Sequence, residues 1–111
     1  MEGTGIRSMT IEIAYLGIGS NLGNRTHNLL QAIKLISRHA KIKDISSVYQ
    51  TRPWGHSDQP YFLNIVCRLE TTITAINLLT ITQCIEKTIG RTHTFLSVSY
   101  THLKLPTSDL V

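Results

Sequence analysis

Residues 49–64 bring aromatic and amide side chains together around a loop that holds two prolines and a glycine. Within this segment Phe62 and Asn64 are two residues apart in a β-prone run, so their side chains point to the same face of a strand. An aromatic ring beside an amide suits a flat, hydrogen-bonding heterocycle, because the ring stacks and the amide offers a donor and an acceptor. The same spacing also fits a core phenylalanine beside a turn-capping asparagine, and both interpretations stay open.

A glycine-rich segment, residues 17–25, separates the first predicted strand from the first predicted helix. Small residues there permit close backbone approach, and the start of the next helix can offer N–H groups to an anion. The segment is not a P-loop, because no Gly-Lys-Ser/Thr follows, and its third glycine comes one residue too late for the dinucleotide-binding pattern. A purely structural tight turn explains the glycines equally well.

Three polar residues at the end of the second predicted helix are candidates for phosphate binding. Gln83 and Glu86 share a helix face, and Arg91 follows the helix and can hold a phosphate through two hydrogen bonds. A solvated helix face is the alternative interpretation of the pair. The five histidines have no metal-ligand spacing, so we assign no metal ligand.

The elements that must position these residues alternate between strand and helix patterns. Strands are predicted over residues 12–18, 42–51 and 61–71. Apolar residues at three- and four-residue spacing predict a helix over residues 26–39 and another that begins after Thr72 or Thr74 and ends at Gly90. The order βαββα needs one more strand to complete a ferredoxin-like α+β fold, with both helices on one face of an antiparallel sheet.

The composition fits one globular domain, since 41% of the 111 residues are hydrophobic. No apolar run approaches the ~20 residues of a membrane span, and residues 1–10 lack a signal-peptide core. We therefore expect a cytoplasmic chain. Residues 1–10 are expected to form a short N-terminal extension. A net charge of +4 suits a polyanionic ligand, but scattered basic residues argue against nucleic acid. Cys67 and Cys84 are expected to be buried free thiols.

Four blocks occur together in one order along the chain. They are Tyr-Leu-Gly-Ile-Gly-Ser-Asn-Leu-Gly at residues 15–23, Ser-Val-Tyr-Gln-Thr at residues 47–51, Gln-Pro-Tyr-Phe-Leu-Asn at residues 59–64, and Gln83 and Glu86 with Gly90-Arg91. Together they resemble the family of 6-hydroxymethyl-7,8-dihydropterin pyrophosphokinases, enzymes of folate biosynthesis. The resemblance implies a ferredoxin-like core and the transfer of pyrophosphate from ATP to the hydroxymethyl oxygen of the pterin. It also implies small-molecule substrates only, and a monomer.

The resemblance implies a role for four residues in a pterin pocket. Thr51 and Trp54 would contribute mainly backbone contacts. Phe62 would stack on the pterin ring, and Asn64 would hydrogen-bond to it. All four lie in or beside the loop and strand where the residue pattern alone points to a heterocycle.

On the ATP side the resemblance implies Gln83, Glu86 and Arg91, with Arg91 on phosphate as the catalytic residue. In the family an Asp-x-Asp pair holds the magnesium ions that bridge ATP, but this sequence contains no Asp-x-Asp. Metal ions supply most of the charge neutralisation in phosphoryl-type transfer. We therefore expect a polypeptide of these 111 residues to be inactive as a pyrophosphokinase.

Residues 95–111 depart from the family pattern and resemble translated sequencing-adapter DNA. We therefore expect an incomplete pyrophosphokinase-like domain over residues 11–94, truncated at its C-terminal end and followed by a foreign tail; a natural truncated paralogue is the alternative. Loss of the last family strand would expose an edge of the first strand, although residues 95–100 alternate enough to pair there.

Two other functions are alternatives to the enzyme. One is a non-catalytic module that binds pterin or nucleotide. The other is an RNA-binding ferredoxin-like domain, which is disfavoured because only Phe62 is well placed to stack on a base.

Overall fold

The computed structural model describes residues 7–53, 60–90, 94–100 and 103–104. The strands in these ranges are β1 (Arg7–Ser20), β2 (Lys41–Ile45), β3 (Tyr49–Thr51), β4 (Phe62–Ile73), β5 (Thr94–Tyr100) and β6 (Leu103–Lys104), and the helices are α1 (Arg25–Ile36) and α2 (Ala75–Ile89). No helix within the described ranges has the length and apolar character needed to span a membrane.

The strands form one antiparallel sheet in the order β2-β4-β1-β5-β6, and β3 also pairs with β4. Since β2 and β3 both lie beside β4, the central order is that of a ferredoxin-like sheet, with β5 beside β1 and β4 on the other side. The predicted α+β ferredoxin-like class is confirmed.

The prediction of a single strand over residues 42–51 is wrong, because the chain leaves the sheet between β2 and β3. At Ser46 the backbone N–H donates to the carbonyl of Val66 at 2.8 Å. The Ser46 hydroxyl then accepts from the Val66 N–H, also at 2.8 Å. A side-chain oxygen thus replaces the backbone carbonyl that would continue the ladder, and pairing resumes only at Tyr49 opposite Asn64.

Strand β5 pairs with β1 along its whole length, from Tyr100 opposite Ala14 to Thr94 opposite Ser20. This confirms the prediction that residues 95–100 can cover the edge of the first strand. Leu96 and Val98 are buried, so β5 contributes to the core as well as to the sheet.

The core lies between the sheet and the two helices. Alternate residues of β1, β4 and β5 are buried, and Leu16 of β1 lies between Cys67 of β4 and Val98 of β5 in the pairing register. Buried residues of α1 and α2 join the same cluster: Leu29, Ala32, Ile36, Leu78 and Ile85. Both helices therefore pack on one face of the sheet, as predicted.

Helix α2 begins and ends where the sequence predicts. The Thr74 hydroxyl accepts from the N–H of Asn77 at 3.4 Å. Gly90 takes a left-handed conformation with φ of 104° and donates its N–H to the Glu86 carbonyl at 2.9 Å. Helix α1 ends at Ile36 rather than at residue 39.

Two buried side chains have altered acidities. Cys67 is buried, which confirms the prediction and raises the pKa of its thiol. Cys84 is exposed, which contradicts the prediction; at 3.6 residues per turn its neighbour Ile85 takes the core-facing position. Burial, with a smaller contribution from the Glu12 charge, raises the pKa of Tyr100 to about 12.

Candidate functional site

On the sheet face opposite the helices, four residues form a row across four adjacent strands. Tyr49 of β3 lies opposite Asn64 of β4, Asn64 lies opposite Gly19 of β1, and Gly19 lies opposite Phe95 of β5. Directly opposed residues in a sheet share a face, so the side chains of Tyr49, Asn64 and Phe95 lie on the same face at the level of Gly19. The row places an amide and an aromatic ring on either side of a residue without a side chain.

Gly19 makes room for a cavity at this position. A Cβ atom there would lie 2.8 Å from Asn64 Oδ1 and 3.4 Å from Phe62 Cδ2. The resulting cavity has a volume of about 280 Å³, and Gly19, Asn64, Phe62 and Phe95 are among the residues that line it. Small-molecule sites typically measure about 300–1,000 Å³, so this cavity lies just below the lower end of that range.

The Asn64 side chain is oriented by β3. Its Nδ2 donates to Thr51 Oγ1 at 2.9 Å and, less favourably, to the Tyr49 carbonyl at 3.4 Å. These bonds direct Oδ1 toward the space above Gly19, where it can accept from a ligand. The amide thus bridges strands, and the alternative of a turn-capping asparagine does not apply.

Phe62 and Phe95 form the aromatic wall of the cavity. Their ring centroids are 5.9 Å apart with an interplanar angle of 45°. A planar ring held between two others needs them roughly parallel and about 7 Å apart, twice the carbon contact distance of about 3.5 Å. The described arrangement therefore offers one ring face for stacking, with the second ring at its side. Phe62 is half-buried on the face away from the helices, so the alternative of a core phenylalanine does not apply either.

Glu86 of α2 is also a lining residue of this cavity and is bonded to β5. Only 3% of Glu86 is exposed, and its Oε2 accepts from the Leu96 N–H at 2.7 Å. The interpretation of Gln83 and Glu86 as a solvated helix face is therefore wrong for Glu86, which lines the cavity. Gln83 is half-buried and is not among the residues that line it.

The structure brings together three of the four residues predicted for the heterocycle: Thr51, Phe62 and Asn64. Trp54 and Arg91 lie outside the described residues. Tyr49 and Phe95 line the same cavity but were not predicted as site residues. The alternation of residues 95–100, once paired with β1, is the sequence signal that places Phe95 opposite Gly19.

The turn between β1 and α1 is held by its own side chains. Gly23 has a φ of 71°, and Asn24 Oδ1 accepts from the His27 N–H at 3.0 Å. Asn28 Nδ2 donates to the Leu22 carbonyl at 3.2 Å and to Ser20 Oγ at 2.9 Å. These contacts favour the structural interpretation of the glycine-rich segment, since the chain itself provides the helix cap.

The described acidic side chains do not fit the magnesium site that the resemblance implies. Within the part of the chain that the structure describes, no three His, Cys, Asp or Glu side chains are grouped to hold a metal ion. Asp44 accepts from Arg68 Nε at 2.8 Å, and Glu70 lies 4.0 Å from Lys43. Glu86 is buried and bonded to the backbone of β5. These carboxylates are dispersed and offer no pair comparable to Asp-x-Asp.

The fold and the site define a ferredoxin-like α+β domain with a cavity lined by aromatic and amide side chains on its open sheet face. Comparison with known families agrees with this class, because the profile of the 7,8-dihydro-6-hydroxymethylpterin-pyrophosphokinase family matches residues 15–104. The chain belongs to that family. The match runs past residue 94, and the origin of residues 95–111 stays a prediction.

Three curated relatives illustrate the similarity. The 2-amino-4-hydroxy-6-hydroxymethyldihydropteridine pyrophosphokinase of Bacillus subtilis is 43% identical over 82 residues, 72% of this chain and 49% of that protein. The enzyme of the same name from Aquifex aeolicus is 38% identical over 81 residues, 73% of this chain and 51% of that protein. Folic acid synthesis protein fol1 of Schizosaccharomyces pombe is 41% identical over 87 residues, 77% of this chain but 12% of that protein. The chain thus spans about half the length of the two pyrophosphokinases.

Proposed function

We propose that this chain carries the pterin-binding part of an enzyme that transfers pyrophosphate from ATP to 6-hydroxymethyl-7,8-dihydropterin in folate biosynthesis. We also propose that a polypeptide of these 111 residues does not catalyse the transfer. The observation that carries the first proposal is the cavity above Gly19, where the Asn64 amide and the Phe62 ring meet. Family membership supports the choice of pterin over other heterocycles.

In the proposed complex each side chain has a separate task. Phe62 stacks on the pterin ring, while Asn64 uses Oδ1 to accept from a ring N–H. Thr51 holds the Asn64 amide through its 2.9 Å hydrogen bond, so the amide is oriented before the ligand arrives. Trp54 would add backbone contacts from the preceding loop.

On the ATP side, Arg91 would contact phosphate as the catalytic residue, with Gln83 and Glu86 nearby on α2. Magnesium, when bound, would neutralise the phosphate charge. The residues that would hold it do not fit: the sequence has no Asp-x-Asp, and the Glu86 carboxylate is engaged by the Leu96 N–H. The absent ligands are the reason for expecting pterin binding without turnover.

Two measurements on the purified 111-residue chain test this proposal. Calorimetric titration should detect binding of 6-hydroxymethyl-7,8-dihydropterin, and replacing Asn64 with alanine should abolish it. An assay with ATP, magnesium and the pterin should detect no diphosphorylated product, with the Bacillus subtilis enzyme as the positive control. Turnover by the chain would contradict the proposed inactivity, whereas absence of pterin binding would contradict the proposed function itself.

A matched variant makes the binding result specific to the cavity. Tyr15 is an exposed aromatic residue on the same sheet face and strand as Gly19, but it is not among the residues that line the cavity. Replacing Tyr15 with alanine should leave pterin affinity unchanged. Equal losses for Tyr15 and Asn64 variants would indicate nonspecific binding to the sheet face.

A further inference from the structure

Arg25 makes a contact between two distant parts of the chain. It is the first residue of α1, and its Nη1 donates to the backbone carbonyl of Tyr61 at 2.7 Å. Tyr61 directly precedes Phe62, the residue that carries the stacking ring. The bond therefore joins the first turn of α1 to the backbone that enters the candidate site.

This contact lies where the sheet provides little support. The pairing of β1 with β4 ends at Ser20 opposite Leu63, because β1 then enters the turn toward α1. On the other side, β3 is three residues long and its last pair is Thr51 opposite Phe62. Tyr61 lies two residues beyond the ladder with β1 and one residue beyond the ladder with β3, so the Arg25 guanidinium supplies a hydrogen bond where neither neighbouring strand continues.

The helix start that carries Arg25 is itself fixed to the end of β1. Asn24 caps the helix by accepting from the His27 N–H at 3.0 Å. Asn28 binds Ser20 Oγ at 2.9 Å, and Ser20 lies 3.1 Å from Thr94 Oγ1 of β5. Arg25 thus extends from a backbone that is tied to two strands of the site, and its charged donor makes a stronger bond to a carbonyl than a neutral donor would.

We infer that Arg25 is a positioning residue for the pterin site: it touches no ligand, but it holds the Tyr61 carbonyl so that Phe62 presents its ring to the cavity. This inference rests on the proposed function. A basic residue after a glycine-rich turn would suggest contact with an anion. Here Arg25 instead makes a hydrogen bond within the protein, to the Tyr61 carbonyl.

Two substitutions at this position separate the hydrogen bond from the rest of the side chain. Arg25→Met keeps a long apolar stem and helix propensity but has no donor. Arg25→Lys keeps a charged donor. Arg38→Ala is the control, since Arg38 is an exposed arginine just beyond the end of α1.

The experiment measures pterin affinity by calorimetry and the Tyr61 carbonyl resonance by carbon-13 NMR in all four proteins. Arg25→Met should weaken pterin binding about fivefold, which is less than the full value of a charged hydrogen bond because Arg25 acts on the ligand only through Phe62. It should also shift the Tyr61 carbonyl resonance, while the far-ultraviolet circular dichroism spectrum stays that of the unsubstituted chain. Arg25→Lys should restore most of both signals, and Arg38→Ala should match the unsubstituted chain.

The outcomes distinguish this inference from the proposed function. If the unsubstituted chain does not bind pterin, the proposed function is overturned. If that chain binds pterin and Arg25→Met binds it equally well, the positioning role of Arg25 is overturned. An Arg25→Met chain that fails to fold would also overturn it, because Arg25 would then support the fold rather than the site.

Discussion

Replacing Gly19 with alanine adds one methyl group at the centre of the candidate site. The backbone at Gly19 is an ordinary strand backbone, paired with Asn64 on one side and Phe95 on the other. Any effect of the substitution therefore comes from the space that the methyl group needs. The nearest atom is Asn64 Oδ1, 2.8 Å from the position of the new Cβ, with Phe62 Cδ2 next at 3.4 Å.

The size of the effect follows from these distances. A carbon and an oxygen in contact normally lie about 3.3–3.6 Å apart, so the Asn64 amide must move by about 0.5 Å or more. It then loses the 2.9 Å bond to Thr51, whose net value is about 0.5–1.5 kcal/mol. With the cost of overpacking included, we expect the free energy of unfolding to fall by about 1–3 kcal/mol. Pterin affinity should fall at least about tenfold, or about 1.4 kcal/mol, because the amide is no longer aimed at the ligand.

Urea unfolding followed by circular dichroism, and calorimetric titration with pterin, measure these two quantities. Gly17→Ala is the graded comparison: its Cβ would lie 3.1 Å from Ser97 Oγ, an exposed hydroxyl that can rotate away, so the loss should be smaller. Combining Gly19→Ala with Asn64→Ala should cost less stability than the sum of the two, since the second change removes the clash. Wild-type stability and affinity for Gly19→Ala, or strict additivity, would refute the reasoning.

Three further predictions concern other buried groups. In the native chain Cys84 should react rapidly with a thiol reagent, whereas Cys67 should react only on unfolding. Rapid reaction of both thiols would contradict the burial of Cys67. The raised pKa of Tyr100 contributes stability that is complete below pH 10 and is lost as the pH rises toward 12. In urea unfolding measured over this pH range, Tyr100→Phe should reduce the loss of stability. If the free energy of unfolding of the variant falls with pH as steeply as before, Tyr100 is not the source of the loss. Glu86→Ala should lower the free energy of unfolding by about 1–3 kcal/mol, because it removes the buried hydrogen bond from the Leu96 N–H to the Glu86 carboxylate. Gln83→Ala should cost less, and equal losses would mean that the Glu86 bond adds nothing.

Local patterns in the sequence were sufficient to predict most of the fold. The alternation of residues 61–71 predicts which side chains of β4 face the helices, and the structure agrees. The cap at Thr74 and the left-handed Gly90 set the ends of α2 through contacts within a few residues. The ferredoxin-like topology then follows from the order of elements, because few arrangements bury one face of each.

The parts that could not be predicted depend on contacts between distant residues. The need for glycine at position 19 is visible only once β1 and β4 pair in register and bring Asn64 opposite to it. The burial of Glu86 requires a β5 backbone N–H that helical spacing cannot reveal. The break after β2 arises because the Ser46 hydroxyl substitutes for a backbone acceptor, which a strand pattern does not show.

The central claim is that pterin binds above Gly19, between the Asn64 amide and the Phe62 ring. The most direct test is to titrate the isotopically labelled chain with 6-hydroxymethyl-7,8-dihydropterin and follow side-chain NMR signals. We predict the largest shifts at the Asn64 side-chain amide and the Phe62 ring protons, with little change at Tyr15 on the same sheet face. Saturating shifts elsewhere in the chain, or no shifts at millimolar pterin, would contradict the claim.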